Sequence, residues 1–325
     1  MNKHTTRRML AAAAVIPVIL ALGCTSNPST APASASASAS ASASQTSYPL
    51  VIHSANGSVH IAHRPTAIVS LSPTATEMLY AIGAGAQVKA VDKDSNYPAG
   101  VPTTSLDGNN PNVEAIVNDK PDLVVVSDDP AGFQSQLSAL GIPVLEDPAA
   151  TTLAQSYQQY LQLGQATGHV AAAHTEVAHV KAQIASLVAA TPKPKTSQTY
   201  YYELDQTYFT ATSSTFIGNV FSLLGLKNIA DSAADAASSG GYPQLNAEFI
   251  LKANPTYVFL ADTLCCGQSA ATVAARPGWS TLSAVANHRI VLLNDDIASR
   301  WGPRVVTLLK AVATTVDAQR AGPGA

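Results

Sequence analysis

The sequence predicts an α/β protein made of two similar three-layer α/β lobes, each with a parallel-type sheet, joined by one long spacer α-helix. Three observations carry this. Short apolar runs rich in β-branched residues, such as Ile68-Val69-Ser70-Leu71 and Leu123-Val124-Val125-Val126, alternate with segments of helical spacing. Strands that are apolar at nearly every position are buried on both faces, which is how a parallel sheet covered by helices reads. The alternation is broken once, where Val170, Ala173, Val177, Val180, Ile184, Leu187 and Val188 recur at helical spacing before Pro192 and Pro194, and then it resumes.

The elements follow in order. Lys3, Arg7 and Arg8 precede an apolar run from Met9 to Leu22, shorter than the roughly 20 residues a membrane-spanning helix needs. Residues 1–23 are therefore expected to be a signal peptide. The run closes on Ala21-Leu22-Gly23-Cys24, which resembles a lipobox and makes Cys24 the expected lipidation site. Thr6-Arg7-Arg8-Met9-Leu10 also fits a twin-arginine signal, so Sec and Tat export both stay open. Residues 24–47 are almost wholly Ser, Ala, Thr and Pro, too small to offset the entropy of ordering, and are expected to form a disordered stalk. At about 5–6 Å times the square root of its length, such a stalk holds the following domain roughly 25 Å from the anchor.

Residues 48–166 form the expected N-terminal lobe. Ala67 to Leu71 reads as a strand, Ser72-Pro73-Thr74 as a turn, and Thr76 to Ile82 as a helix that Gly83 and Gly85 end. Val88 to Val91 is the next strand, Val113 to Asn118 a helix, Pro121 to Val126 a strand, Gln134 to Leu140 a helix and Gly141 to Leu145 a strand. Residues 167–191 are the spacer helix and 192–325 the C-terminal lobe. In that lobe the strands fall at Thr199–Leu204, Thr256–Leu260 and Ile290–Leu293, with helices over Ile217–Leu224, Glu248–Lys252 and Pro303–Ala318. Both lobes carry the same phrase of helix, proline and apolar strand: Lys120-Pro121-Asp122-Leu123 against Asn254-Pro255-Thr256-Tyr257.

Eighteen Lys and Arg against 21 Asp and Glu leave a net charge of −3, with no basic face for nucleic acid. The sequence contains no Gly-x-Ser-x-Gly elbow, phosphate-cradling Gly-x-x-x-x-Gly-Lys, Cys-x-x-Cys or His-Glu-x-x-His. Gly83-Ala84-Gly85 ends a helix and is no dinucleotide fingerprint. No catalytic residue, cofactor or resident metal is expected. His169, His174 and His179, spaced by five, point to different faces and read as solvated.

Several segments in this order and spacing, Ile68-Val69-Ser70-Leu71-Ser72-Pro73-Thr74-Ala75-Thr76-Glu77, Asn96-Tyr97-Pro98, Pro111-Asn112-Val113-Glu114, Lys120-Pro121-Asp122-Leu123-Val124 and Gly141-Ile142-Pro143-Val144, resemble the helical-backbone (class III) substrate-binding proteins of ABC importers for cobalamin and ferric siderophores. The resemblance spans most of Ala67 to Leu309. It implies an exported, membrane-anchored, monomeric lipoprotein that binds a metal chelate, a corrinoid or ferric siderophore, in the interlobe cleft and docks on an ABC permease dimer. Glu114 and Glu248 match the acidic residue that each lobe presents to the permease, although an acid in a first turn also simply suits the helix dipole. Asp296, Arg300, Pro303 and Arg304 reproduce the aspartate-to-arginine spacing that reaches the ligand in corrinoid binders. For Arg300 a strut on Asp296 is the other reading. Tyr242 and Tyr97 fall where aromatics pack on a ligand, and Trp301 and Glu203 are further candidates at the cleft. Leu106 or Asp107 stands where corrinoid binders have an aromatic.

Cys265 and Cys266 are adjacent and follow a strand, in a loop where α/β folds gather ligands. Outside the cell they are expected to join each other as a rigid apolar plate on a cleft wall, with free thiols or metal ligation as the alternatives. The competing functional classes are an extracytoplasmic α/β enzyme acting on a cell-envelope molecule and a ligand sensor without transport.

Overall fold

A computed structural model describes residues 46–318. The expected signal peptide, Cys24 and nearly all of the expected stalk lie outside the described residues.

The described chain begins with a hairpin the sequence reading passed over. Strands β1 (Leu50–Ser54) and β2 (Gly57–Ile61) pair antiparallel, Ser54 opposite Gly57, around Ala55-Asn56. Gly57 takes φ +106° to close the turn, a conformation that costs a residue without Cβ nothing. Ile52, Val59 and Ile61 point inward while Val51 is exposed, the period of two of a half-buried ribbon.

The N-terminal lobe then runs β3 (Ile68–Ser70), α1 (Pro73–Ala81), β4 (Val88–Val91), α2 (Val113–Asn118), β5 (Leu123–Val126), α3 (Phe133–Ala139) and β6 (Val144–Glu146). Its strands are all parallel, in the order β4-β3-β5-β6. Alternate residues feed two separate cores. Ile68, Leu123, Val125 and Leu145 pack with Met78 and Leu79 of α1, whereas Val69, Val124 and Val126 pack with Ile116 of α2 and with Phe133 and Leu137 of α3. A sheet buried on both faces needs an apolar residue at every position, and that is the pattern seen.

Two helices follow. The first, α4 (Leu153–Thr167), was not expected. Its capping box pairs Thr152 with Gln155, and Gly168 at φ +75° ends it. The second, α5 (Val170–Ala190), is the spacer, about 31 Å long at 1.5 Å per residue. Its Ala173 and Val177 lie in the N-terminal core and its Val180 and Ile184 in the C-terminal core, so one rigid helix is fastened to both lobes. Gly164 of α4 sits where an added Cβ would meet the Cβ of Ala173 at 2.5 Å, which lets the two helices approach closely.

The C-terminal lobe contains β7 (Thr199–Glu203), α6 (Phe216–Ser222), β8 (Lys227–Asn228), α7 (Ala247–Ala253), β9 (Tyr257–Leu260), α8 (Thr263–Cys266), α9 (Ala270–Ala274), α10 (Ser283–Ala286), β10 (Ile290–Leu292), α11 (Asp295–Ser299) and α12 (Val305–Ala318). Its sheet is parallel, in the order β10-β9-β7-β8. Numbered within each lobe, both sheets have the order 2-1-3-4, so the lobes are structural repeats. The faces again divide. Tyr200, Tyr202, Tyr257 and Phe259 pack on α6 and α12, while Tyr201, Val258 and Leu260 pack around the buried Trp279.

Candidate functional site

In open parallel sheets, ligands gather beyond the carboxyl ends of the strands, where the order reverses. In the N-terminal lobe that point follows β3. Ser72 caps α1 by accepting from the Ala75 N–H at 3.3 Å, which fixes the helix so that Glu77, one turn in, faces the other lobe. In the C-terminal lobe the chain leaving β10 forms α11, capped by Asn294, and then passes Arg300 to Arg304.

These two segments meet. Glu77 Oε1 accepts from Arg300 Nη1 at 2.9 Å and from Arg304 Nη2 at 2.6 Å, while Glu77 Oε2 accepts from Arg304 Nε at 3.0 Å. Arg300 also donates to Asp296 Oδ1 at 2.8 Å, to the Asp94 carbonyl at 2.8 Å and to Asn96 Oδ1 at 3.1 Å. Asn96 donates in turn to Asp296 Oδ2 at 2.8 Å. The side chains of Glu77 and Arg300 are 0 % and 7 % exposed. Asp296 and Arg300, expected to reach the ligand with a mutual strut as the other reading, are paired in this structure. Arg304 lies 4.5 Å from the ring of Tyr97, a cation–π contact that orients an otherwise exposed aromatic. Trp301 packs against both cores and donates to Gln159 Oε1 of α4 at 2.6 Å, and its carbonyl accepts from Ser156. It is wedged between the lobes.

Glu203 needs a correction. It was expected to border the cleft, yet it is fully buried and clasped by Arg276 through two bonds of 2.6 Å, with the guanidinium stacked 4.7 Å from the Trp279 ring. It ends a strand whose inward face is covered, so its charge had to find a buried partner. Asp262, two residues after β9, is also fully buried, beside the Glu203 carboxylate. Burial, aided by the charge of Glu203, raises its carboxyl to about 7.

Several large apolar side chains are exposed at the carboxyl ends, beside polar ones such as Asp94, Asn96, Asp128 and Gln206. Tyr97 and Tyr242 are 42 % and 41 % exposed, one from each lobe. Phe209, in the loop after β7, and Leu264, on the short helix α8 after β9, are exposed, and sequence reasoning missed both. Cys265 and Cys266 are joined, as expected, and are exposed on the short helix α8. Three backbone N–H groups of that turn, those of Thr263, Leu264 and Cys265, donate to the Asp295 carboxylate, so the plate is tied to α11 and to its neighbour Asp296. Leu106 is buried and Asp107 pairs with Lys93 at 2.6 Å, so neither replaces the aromatic of corrinoid binders.

Glu114 and Glu248 occupy equivalent places. Each is exposed in the first turn of its helix, α2 or α7, two residues after an Asn that caps it: Asn112 accepts from the Ala115 N–H and Asn246 from the Phe249 N–H. Neither carboxylate forms an ion pair among the described residues, so the helix dipole accounts for their position and leaves their charge available. A surface hollow of about 570 Å³ lies beside Glu114, lined by Asn112, Asn118 and Lys120 among others.

Residues 68–297 match the family model described as periplasmic binding protein. The chain is 30 % identical over 279 residues to an uncharacterised ABC transporter substrate-binding lipoprotein, YvrC, of Bacillus subtilis (strain 168), which covers 83 % of this chain and 86 % of that one. It is also 30 % identical over 269 residues to a cobalamin-binding protein of Halobacterium salinarum, covering 80 % and 72 %. Among solved structures it is similar to a possible iron-binding (periplasmic solute-binding) protein of Staphylococcus epidermidis, with TM-score 0.68, 25 % identity and 78 % and 99 % coverage. The vitamin B12-binding protein BtuF of Vibrio cholerae matches at TM-score 0.65 and 25 % identity, covering 78 % and 98 %.

Proposed function

Because this chain belongs to the periplasmic binding protein family, we propose that it is the extracytoplasmic solute-binding lipoprotein of an ABC importer, anchored through Cys24, and that its solute is a metal chelate of the corrinoid or ferric siderophore class. The observation that carries this is the pair of exposed aromatics, Tyr97 and Tyr242, supplied by loops of the two repeated lobes at the carboxyl ends of their sheets. A large, partly planar chelate gains most from aromatic faces that bury apolar area, with a few polar groups to fix its orientation. Phe209, Leu264 and the Cys265–Cys266 plate extend the apolar surface of the C-terminal lobe.

The polar groups nearest Tyr97 are Asn96, Asp296 and the Arg300–Arg304 pair. They join the lobes through their mutual hydrogen bonds, and in this reading a bound chelate competes for them. Glu114 and Glu248 are the permease-docking acids in this reading, since two separated, unpaired carboxylates on equivalent helices fix the orientation of a complex while costing little desolvation. The lipid anchor and stalk keep this monomeric receptor near its permease.

Quenching of tryptophan fluorescence tests the site. A saturable one-to-one titration by one member of a panel of cobalamin, ferric hydroxamate, ferric catecholate and haem is expected, weakened about tenfold or more in Tyr97→Ala and Tyr242→Ala. Equal affinity in both variants would contradict the aromatic site.

A further inference from the structure

Charge is sorted along this fold, and the sorting bears on which chelates the cleft accepts. Both sheets are parallel, so each has a single carboxyl end. In the N-terminal lobe the chain leaves those ends through residues 71–72, 92–112, 127–132 and 147–152. In the C-terminal lobe it leaves through 204–215, 229–246, 261–262 and 293–294. Lys93 is the one basic residue in all of these segments. The same segments carry Asp94, Asp128, Asp129, Asp205 and Asp235, which are wholly or partly exposed and take part in no ion pair among the described residues. Asp94 shares its segment with Tyr97, and Asp235 shares its segment with Tyr242. Basic residues stand instead at the amino ends, where Arg64, Lys120, Lys195 and Arg289 precede β3, β5, β7 and β10.

The cations that do reach the carboxyl ends are committed to acids. Lys93 pairs with Asp107 at 2.6 Å, Arg276 with Glu203, and Arg300 and Arg304 with Glu77. Both glutamate side chains are 0 % exposed, so a ligand anion that drew an arginine away would leave a buried charge without its partner. A cleft lined by one sign of charge between low-dielectric walls focuses that potential on whatever enters it.

Resting on the chelate reading above, we infer that the cleft admits chelates of neutral or positive net charge and rejects anionic ones. Discrimination of this kind comes from a repulsive element as much as from an attractive one. The exposed aromatics attract any large chelate, and the unpaired aspartates sort by charge. A ferric tris-hydroxamate core is neutral, as is a corrinoid whose side chains are amides; a ferric tris-catecholate is trianionic, and haem carries propionates.

Two measurements on the full chain test the inference, and the first needs no solute. Tyr97→Trp and Tyr242→Trp each place an indole at an exposed position, whose quenching by caesium and by iodide is compared with that of free N-acetyltryptophanamide. Relative to that standard, caesium is expected to quench the added indoles at least severalfold better than iodide; equal quenching, or better quenching by iodide, overturns the inference. The second is calorimetric titration with matched solutes: cyanocobalamin against its side-chain monocarboxylic acid, and ferrioxamine B against its N-succinyl derivative. Whichever parent solute binds, its anionic partner is expected to bind at least tenfold more weakly. The gap is expected to narrow severalfold in a chain carrying Asp94→Asn, Asp128→Asn, Asp205→Asn and Asp235→Asn, whose amides keep the side-chain shapes. Tighter binding of an anionic partner, a ferric tris-catecholate or haem overturns the inference, as does a gap unaltered by those substitutions. Binding of none of these solutes contradicts the chelate reading instead, and the quenching ratio then decides the charge of the cleft by itself.

Discussion

Glu77→Gln is expected to unlatch the two lobes. The carboxylate is fully buried and takes three hydrogen bonds, from Arg300 Nη1 and from Arg304 Nε and Nη2, across an interface between residues more than 220 positions apart. The two arginines are not equally exposed to its loss. Arg300 keeps Asp296, Asn96 and the Asp94 carbonyl. Arg304, whose side chain is 14 % exposed, is left with the face of Tyr97. Breaking a buried pair by removing one partner costs about 3–5 kcal/mol because the other charge stays buried. An amide still accepts one bond and Arg300 is well held, so about 3 kcal/mol is expected. Urea unfolding followed by tryptophan fluorescence and by ellipticity measures it, and because Trp301 sits between the cores, the two signals are expected to separate in the variant as the lobes lose cooperativity. A double-mutant cycle with Arg304→Met is expected to give a coupling above about 1 kcal/mol. A loss below about 0.5 kcal/mol with no coupling would refute the latch.

The other expectations concern pH, packing and docking. Burial, with the charge of Glu146 beside it, raises Asp147 from 3.8 to about 7, so the folded carboxyl stays protonated where the unfolded one has ionised. Its penalty is absent below about pH 4, grows as the pH rises to about 7 and then levels off. At about 1.4 kcal/mol per pH unit it approaches about 4 kcal/mol. Asp147→Asn is expected to be more stable than the parent at pH 8 by up to about that amount and equal to it at pH 4. Matching pH profiles from chemical denaturation would contradict this. Gly218→Ala puts a Cβ well inside 3.0 Å of Thr212 O and of the Ser213 backbone, where rigid main chain must move; a loss of about 2–3 kcal/mol is expected by thermal or urea unfolding. Glu114→Ala and Glu248→Ala together are expected to abolish uptake of the solute with its affinity for the isolated protein unchanged, and unaltered uptake would remove the docking role.

Much of the scaffold was legible because it is written in burial. The runs at Ile68 and Leu123 are apolar at successive positions, which only a sheet covered on both faces demands, and α5 shows its helical period over its whole length. Helix α2 begins at Val113 because Asn112 caps it, a local signal. The hairpin was legible too, in the Ala55-Asn56 turn and the glycine after it between alternating strands, but its short ribbons are half polar and were passed over. Helix α4 was lost because its surface is rich in glutamine and its apolar residues are divided between two cores; the Thr152–Gln155 capping box was its only clear mark.

The site divides in the same way. Asp296 and Arg300 are four residues apart, and their pairing could be anticipated. Glu77, which decides what Arg300 does, is far away in the chain and sits in an ordinary helix-start motif, so nothing local announces it. Glu203 read as a strand-end acid at the cleft, and only the fold shows Arg276, from the bend after α9, covering it. Phe209 and Leu264, which carry no motif in the sequence, become site candidates only once the carboxyl ends of the sheets are located.

Calorimetric titration of the protein with a panel of cobalamin, ferric hydroxamate, ferric catecholate and haem, with the ligand recovered and identified afterwards, tests the central reading most directly. One member is expected to bind at one-to-one stoichiometry with micromolar or tighter affinity and to be recovered chemically unchanged; binding of none, or recovery of a converted product, would contradict it.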